Sequence, residues 1–192
     1  MRPFVPGSRY FTLIGSREAA IEDCKFLATL AYLLLLKGFV GRSGGATGAD
    51  ESLVQAYLRA IQKDANVKGN IEIFLPTFNK HYYERYEPDL FYVQTQPEHE
   101  QSLDMLHRTG VCTYQDKLPH YTKLLFARNV FQIFGSGQAS DFVIYAAPEN
   151  AKGVVKGGTR IAVYLARYYK VPCFNVTIPE QKKKIIELIQ SL

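Results

Sequence analysis

The stretch Arg42-Ser43-Gly44-Gly45-Ala46-Thr47-Gly48-Ala49-Asp50 does most to limit what this chain can fold into. It follows the apolar segment Gly38-Phe39-Val40 and opens an amphipathic one that begins at Ser52-Leu53-Val54. That order reads as a strand, a glycine turn and a helix N-terminus. A tight turn from strand to helix needs one or two glycines; here three glycines and a serine fall within six residues. The excess suits an anion-binding corner. Glycines let the backbone approach a ligand, and the free N–H groups and helix dipole favour negative charge.

The rest of the chain repeats the pattern. Tyr10-Phe11-Thr12-Leu13-Ile14 is an apolar run that stops at Gly15-Ser16-Arg17, and Glu18 to Lys37 has helical spacing with Gly38 as its C-cap. Phe39-Val40-Gly41 is the second strand, Ala49 to Lys63 the second helix and Ile71 to Leu75 the third strand, closed by Pro76. From Pro76 to Pro97 aromatics stand among charges and prolines, and the segment reads as an irregular insertion, either a functional lid or a packed excursion. Helices are predicted over Gln101–Arg108 and Tyr121–Phe134. A central strand follows over Ser140–Ala147, then a helix from Gly157-Gly158-Thr159 to Tyr169, a strand over Val171–Val176 and a helix from Glu180 to Leu192. No repeat and no linker divides the chain. Alternating strands and helices imply an α/β fold of one domain, a mostly parallel central sheet with helices on both faces. Ligands of such sheets bind beyond the C-terminal strand ends, where the strand order reverses. The turns after the strands therefore share one rim.

Composition excludes several classes. The 192 residues suffice for one core, and 47% hydrophobic with 21% charged residues is ordinary for a globular protein. A net charge of +5 suits an anionic partner, but Lys182-Lys183-Lys184, the only basic cluster, reads as a solvated helix face. Cys24, Cys112 and Cys173 are far apart and odd in number, which suits a reducing cytoplasm rather than a disulfide framework. Neither they nor the four histidines have metal-ligand spacing, and no cofactor is called for. The start, Met1 to Gly7, lacks the apolar core of a signal peptide, and the run Leu27–Leu36 is too short to span a bilayer. No membrane partner is expected.

On the rim, Arg17 is placed to hold a phosphate or carboxylate, or to make a surface ion pair. Ser43 and Thr47 offer hydroxyls, and Gly44, Gly45 and Gly48 offer backbone donors. Asp50 serves either as a contact for ribose hydroxyls or as a helix cap. Gly158-Thr159 opens a helix able to take a second anion, and Arg128-Asn129 is either a site pair or the solvated side of an apolar helix. No Gly-Lys-Ser/Thr follows the glycines and no G-x-G-x-x-G is present, so neither the P-loop nor the dinucleotide fingerprint applies.

Taken together, Gly15-Ser16-Arg17, the stretch from Ser43 to Asp50, Ala127-Arg128-Asn129, Ser140 to Ile144 and Gly157-Gly158-Thr159 resemble the SLOG superfamily. That superfamily includes the DNA-processing protein DprA and the LOG nucleotide hydrolases. The stretch is similar to the S-G-G-A-x-G-x-D of DprA, and the Arg128-Asn129 pair of Phe126-Ala127-Arg128-Asn129 to the R-N of its F-x-x-R-N, with Phe126 one position nearer the arginine. The combination is most similar to small DprA-like proteins of phage genomes, for which the host cytoplasm is the expected location. The resemblance implies a Rossmann-like three-layer fold, a homo-oligomer, and a rim pocket formed by Gly15, Ser16, Arg17, Ser43, Gly44, Gly45, Ala46, Thr47, Gly48, Asp50, Asn129, Gly157, Gly158 and Thr159.

Three functions follow from it. The leading expectation is binding of a nucleotide or nucleotide-derived ligand, sensed or sequestered, with an aromatic of 78–92 stacked on the base. The second is a LOG-like N-glycosidase, with Arg128 as the counterpart of the catalytic arginine. The LOG motif P-G-G-x-G-T-x-x-E ends in a glutamate that Gly157-Gly158-Thr159-Arg160-Ile161-Ala162-Val163 lacks, so Glu149, Asp50 or Glu51 would have to substitute. The third is single-stranded DNA binding in the manner of DprA.

Overall fold

The computed structural model describes Gly7 and residues 9–192; the start of the chain, on which the signal-peptide reading rests, lies largely outside the described residues. β1 (Tyr10–Gly15), α1 (Ile21–Leu36), β2 (Val40–Ser43), α2 (Glu51–Lys63) and β3 (Asn70–Leu75) alternate as the sequence predicts. They are followed by α3 (Lys80–Arg85), β4 (Phe91–Val93), α4 (Gln96–Arg108), α5 (His120–Phe134), β5 (Phe142–Ala146), α6 (Thr159–Tyr168), β6 (Cys173–Asn175) and α7 (Pro179–Ser191). The sheet is six-stranded in the order β4-β3-β2-β1-β5-β6, and every pairing is parallel.

The chain builds outward from β1 to β4, then returns to lay β5 along the other side of β1, with Gly15 opposite Ala146 in register. The order therefore reverses between β1 and β5, and a crevice opens beyond their C-terminal ends. Successive β1 side chains point to opposite faces: Phe11 and Leu13 join the core under α1, α2 and α7, while Ile14 joins that under α5 and α6. The apolar run of α1 divides by helical period, with Leu27, Leu30, Ala31, Leu34 and Leu35 buried and Leu33 and Leu36 exposed. On the opposite face α5 crosses behind β2 and β3 and packs between α4 and α6.

The segment 76–97 is more regular than its composition predicts. It contains α3, a 3-10 turn at Pro88–Leu90, β4 and the start of α4. Asn79 caps α3 by accepting from the His81 N–H, and Thr95 with Glu98 forms a capping box at α4. β4 has only three residues, too few to show an alternating pattern.

Candidate functional site

The rim is assembled by close backbone packing that only glycine permits. Gly15 lies against β5, where a Cβ would stand 2.4 Å from the Ala146 carbonyl and 2.5 Å from Ala49 Cβ. Gly48, at φ +80°, presses against the Ser16 and Arg17 carbonyls. The Ser16 N–H donates to Ala146 O at 2.8 Å and the Ala49 N–H to Ser16 O at 3.2 Å, so the loops after β1 and β2 and the end of β5 form one unit.

Asp50 sits inside this unit. Its carboxylate makes no capping bond to α2 but accepts from the Gly15 N–H at 3.0 Å and the Ala46 N–H at 3.4 Å, and pairs with Arg128 Nη1 at 3.5 Å. Burial pushes the carboxyl above the usual range, against the pull of Arg128 and the backbone donors. Arg128 and Asn129 are likewise buried, which overturns their reading as a solvated helix side. Arg128 lies over Gly44 so closely that a Cβ there would stand 1.1 Å from Nη1. Burial lowers its pKa, with Asp50 opposing. Its Nε has no partner among the described residues.

Gln132, one turn on, accepts from the Gly44 N–H at 2.9 Å and Arg128 Nη1 at 3.1 Å and donates to Asn129 Oδ1 at 2.8 Å, in the amide orientation that satisfies all three. Asn129 Nδ2 donates to the Gly158 carbonyl at 3.1 Å. A polar chain thus links the glycine stretch through α5 to the start of α6.

Two cavities open on this rim, of about 470 and about 490 Å³. Arg17, Ala46, Leu125 and Arg128 line both and form the partition between them. The first is walled by Gly44 to Thr47, Glu51, Phe78, His81, Tyr82, Tyr86 and Tyr121. The Tyr82 hydroxyl donates to the Gly45 carbonyl, which ties α3 to the glycine stretch. The second is walled by Gly15, Ser16, Asp50, Asn129, Gln132, Lys156 and Gly157 to Thr159. Nothing lies within 4 Å of a Cβ built on Gly157 or Gly158, so the start of α6 faces open space.

The structure brings the sequence candidates together on the cavity walls, except Ser43 and Gly48. Those two stand behind the wall. Ser43 Oγ donates to the Asp50 carbonyl at 3.4 Å, and Gly48 serves the packing of the β1 loop. The sequence reading missed Tyr121, Leu125, Gln132 and Lys156. The first three share a face of α5 with Arg128, at spacings of four, three and four, a stripe of mixed polarity that an apolar periodicity does not reveal.

Of the carboxylates weighed as substitutes for the LOG glutamate, Glu149 is held behind the rim by the Tyr145 hydroxyl at 2.6 Å, Arg167 at 2.9 Å and Asn175 at 3.1 Å. Asp50 is engaged by Arg128, and Glu51 lies in the wall of the first cavity. Arg42, at the head of the glycine stretch, is a core residue. It pairs with Glu72 at 2.7 Å, donates to the Gln138 carbonyl at 2.6 Å and covers the Tyr10 ring at 3.8 Å. Burial pushes the Cys173 thiol up to about 11. Among the described residues no His, Cys, Asp or Glu cluster is arranged to hold a metal ion, and no helix is long and apolar enough to cross a membrane.

No family model matches the chain, and no curated protein matches it. Among solved structures, one of DNA processing protein A from Helicobacter pylori, described for that protein's single-stranded DNA binding mode, is similar over 95% of this chain and 79% of that one, with a TM-score of 0.58 and 19% sequence identity. The likeness is one of fold: this chain shares the Rossmann-like α/β architecture of DNA processing protein A.

Proposed function

We propose that the chain binds a nucleotide across the two cavities, with the phosphate held at the partition and at the start of α6, and the base among the aromatic side chains. The observation that carries this reading is the partition itself, in which the exposed Arg17 and the buried Arg128 serve both cavities. A guanidinium and a helix N-terminus with open glycines favour phosphate. The rings of Phe78, Tyr82 and Tyr121 offer stacking surface to a base.

A thermal-shift panel of nucleoside monophosphates and a short single-stranded oligonucleotide tests it. A nucleotide at a hundred times its Kd adds about 2.7 kcal/mol of stability. Arg17→Ala is expected to abolish that shift while leaving the free protein's unfolding midpoint in place. An unchanged shift in this variant removes Arg17 from the site.

Single-stranded DNA is the second reading, supported by the fold shared with DNA processing protein A and by the exposed rings of Phe78, Tyr114 and Tyr121. Arg160, which donates to the Tyr114 hydroxyl at 2.6 Å, supplies a cation beside the last ring but one. This reading predicts a shift with the oligonucleotide alone and an affinity that falls steeply with salt.

A further inference from the structure

Among the described residues, Glu51 is the one acidic side chain in the wall of the first cavity. It is half-buried in the first turn of α2, faces aromatic rings, and has no hydrogen-bond or ion-pair partner among the described residues. A carboxylate in a compartment otherwise suited to phosphate needs a reason, since it repels the anion that Arg17 and Arg128 attract. It has a use if the group opposite it is a hydrogen-bond donor. A carboxylate only accepts, through two oxygens side by side. Among the common bases, guanine presents two adjacent donors of matching spacing on its pairing edge, N1–H and N2–H. Adenine and cytosine present a single amino group there, and thymine a single imide N–H.

We infer that Glu51 makes the aromatic cavity selective for guanine, its carboxylate accepting from N1–H and N2–H while the rings of Tyr82 and Tyr121 flank the base. The inference rests on the nucleotide reading above. Glu51 and Tyr82 share the wall of this cavity, and after burial the Glu51 charge is the main cause that pushes the Tyr82 hydroxyl above the usual phenol value. Asn79 in the same wall, whose side-chain carbonyl caps α3, has an amide of a type to donate to the O6 or N7 acceptor of guanine. The source of the guanine, a free nucleotide or a base in a single strand, is for experiment to separate.

The test is calorimetric titration of the full chain with GMP, IMP, AMP, CMP and dTMP, and with thymidine pentanucleotides carrying one central guanine or inosine. GMP is expected to bind about ten- to a hundredfold tighter than IMP, which lacks the N2 amino group, and tighter than the others. Glu51→Gln is expected to erase the preference while keeping the weaker affinity common to all. Preference in the pentanucleotides alone assigns the guanine to a strand; preference in the mononucleotides assigns it to a free ligand. Equal binding of the guanine ligand and its analogue lacking the N2 amino group in both series by the unaltered protein, or a preference that survives in Glu51→Gln, overturns the role of Glu51 and leaves nucleotide binding standing. Failure of every nucleotide to bind removes the nucleotide reading and the inference with it.

Discussion

At the scale of single residues, the rim is governed by one contact, the guanidinium of Arg128 lying on the bare backbone of Gly44. A methyl group there would occupy the space of Nη1, so Gly44→Ala must expel Arg128 from its pairing with Asp50 and Gln132. The expected cost is about 1–3 kcal/mol in urea unfolding, the usual effect of overpacking. Nucleotide binding should fall with it. Undiminished stability would mean that Arg128 has a second place of equal energy. The glycine stretch had looked like a surface for phosphate. Its glycines at 44 and 48 are required by the protein atoms that press on them, while the glycines at 157 and 158 face open space. Sequence shows where a glycine stands but not what presses on it, because the pressing group comes from far along the chain.

At the scale of elements, α5 carries the site and α4 backs it. His99 of α4 is 6% exposed, and its Nε2 has no partner among the described residues. Burial holds its pKa below the usual imidazole value, a backbone hydrogen bond at Lys123 opposes this, and the charge of His120 adds to it. Above about pH 6.5 the imidazole is neutral in both folded and unfolded chains. As the pH falls below that value, the unfolded chain takes up a proton that the folded chain resists, so stability is lost with acidification. The unfolding midpoint is therefore expected to decline between about pH 6.5 and 5, and His99→Leu to flatten that decline. Glu98 and Glu149, whose pKa values lie below the ordinary carboxylate value, give up their contributions only in more acid solution. A decline identical in His99→Leu would assign the acid sensitivity elsewhere.

The elements themselves were largely legible. β1, β3 and β5 are apolar runs that stop at glycine or proline, and α2 and α6 follow glycine turns, while β2 continues past its short run Phe39-Val40-Gly41 through Arg42 and Ser43. The segment after Pro76 was not legible. α3 is six residues long and β4 three, shorter than the windows in which a period shows, and their start signals, Asn79 and Thr95, are common loop residues. The pairing of Arg128 with Asp50 was also hidden, because it joins positions 78 apart and depends on how α5 crosses the sheet.

At the scale of the molecule, the site belongs to both halves of the fold. The glycine stretch comes from the outgoing half, β1 to β4, and the start of α6 from the returning half. A single nucleotide held at the partition should slow amide exchange at Gly44–Asp50 and at Gly157–Thr159 together. Slowing confined to one stretch would mean that the two cavities take separate ligands. Arg42, with its partners Glu72 and Gln138, lies outside both cavity walls, so its loss should lower stability and leave that exchange pattern intact.

The placing of β1 in the middle of the sheet also sets a timetable. Its neighbour β5 lies far along the chain, and the bond that aligns them joins Tyr10 to Asp141, 131 positions apart. During synthesis at roughly 5–20 residues per second, β1 has a neighbour on one side only for on the order of ten seconds. Through that interval a strand destined for the centre presents an open edge to other chains. The strand that begins the fold is closed only once synthesis has passed Phe142–Ala146, and the crevice between β1 and β5 comes into being at that moment.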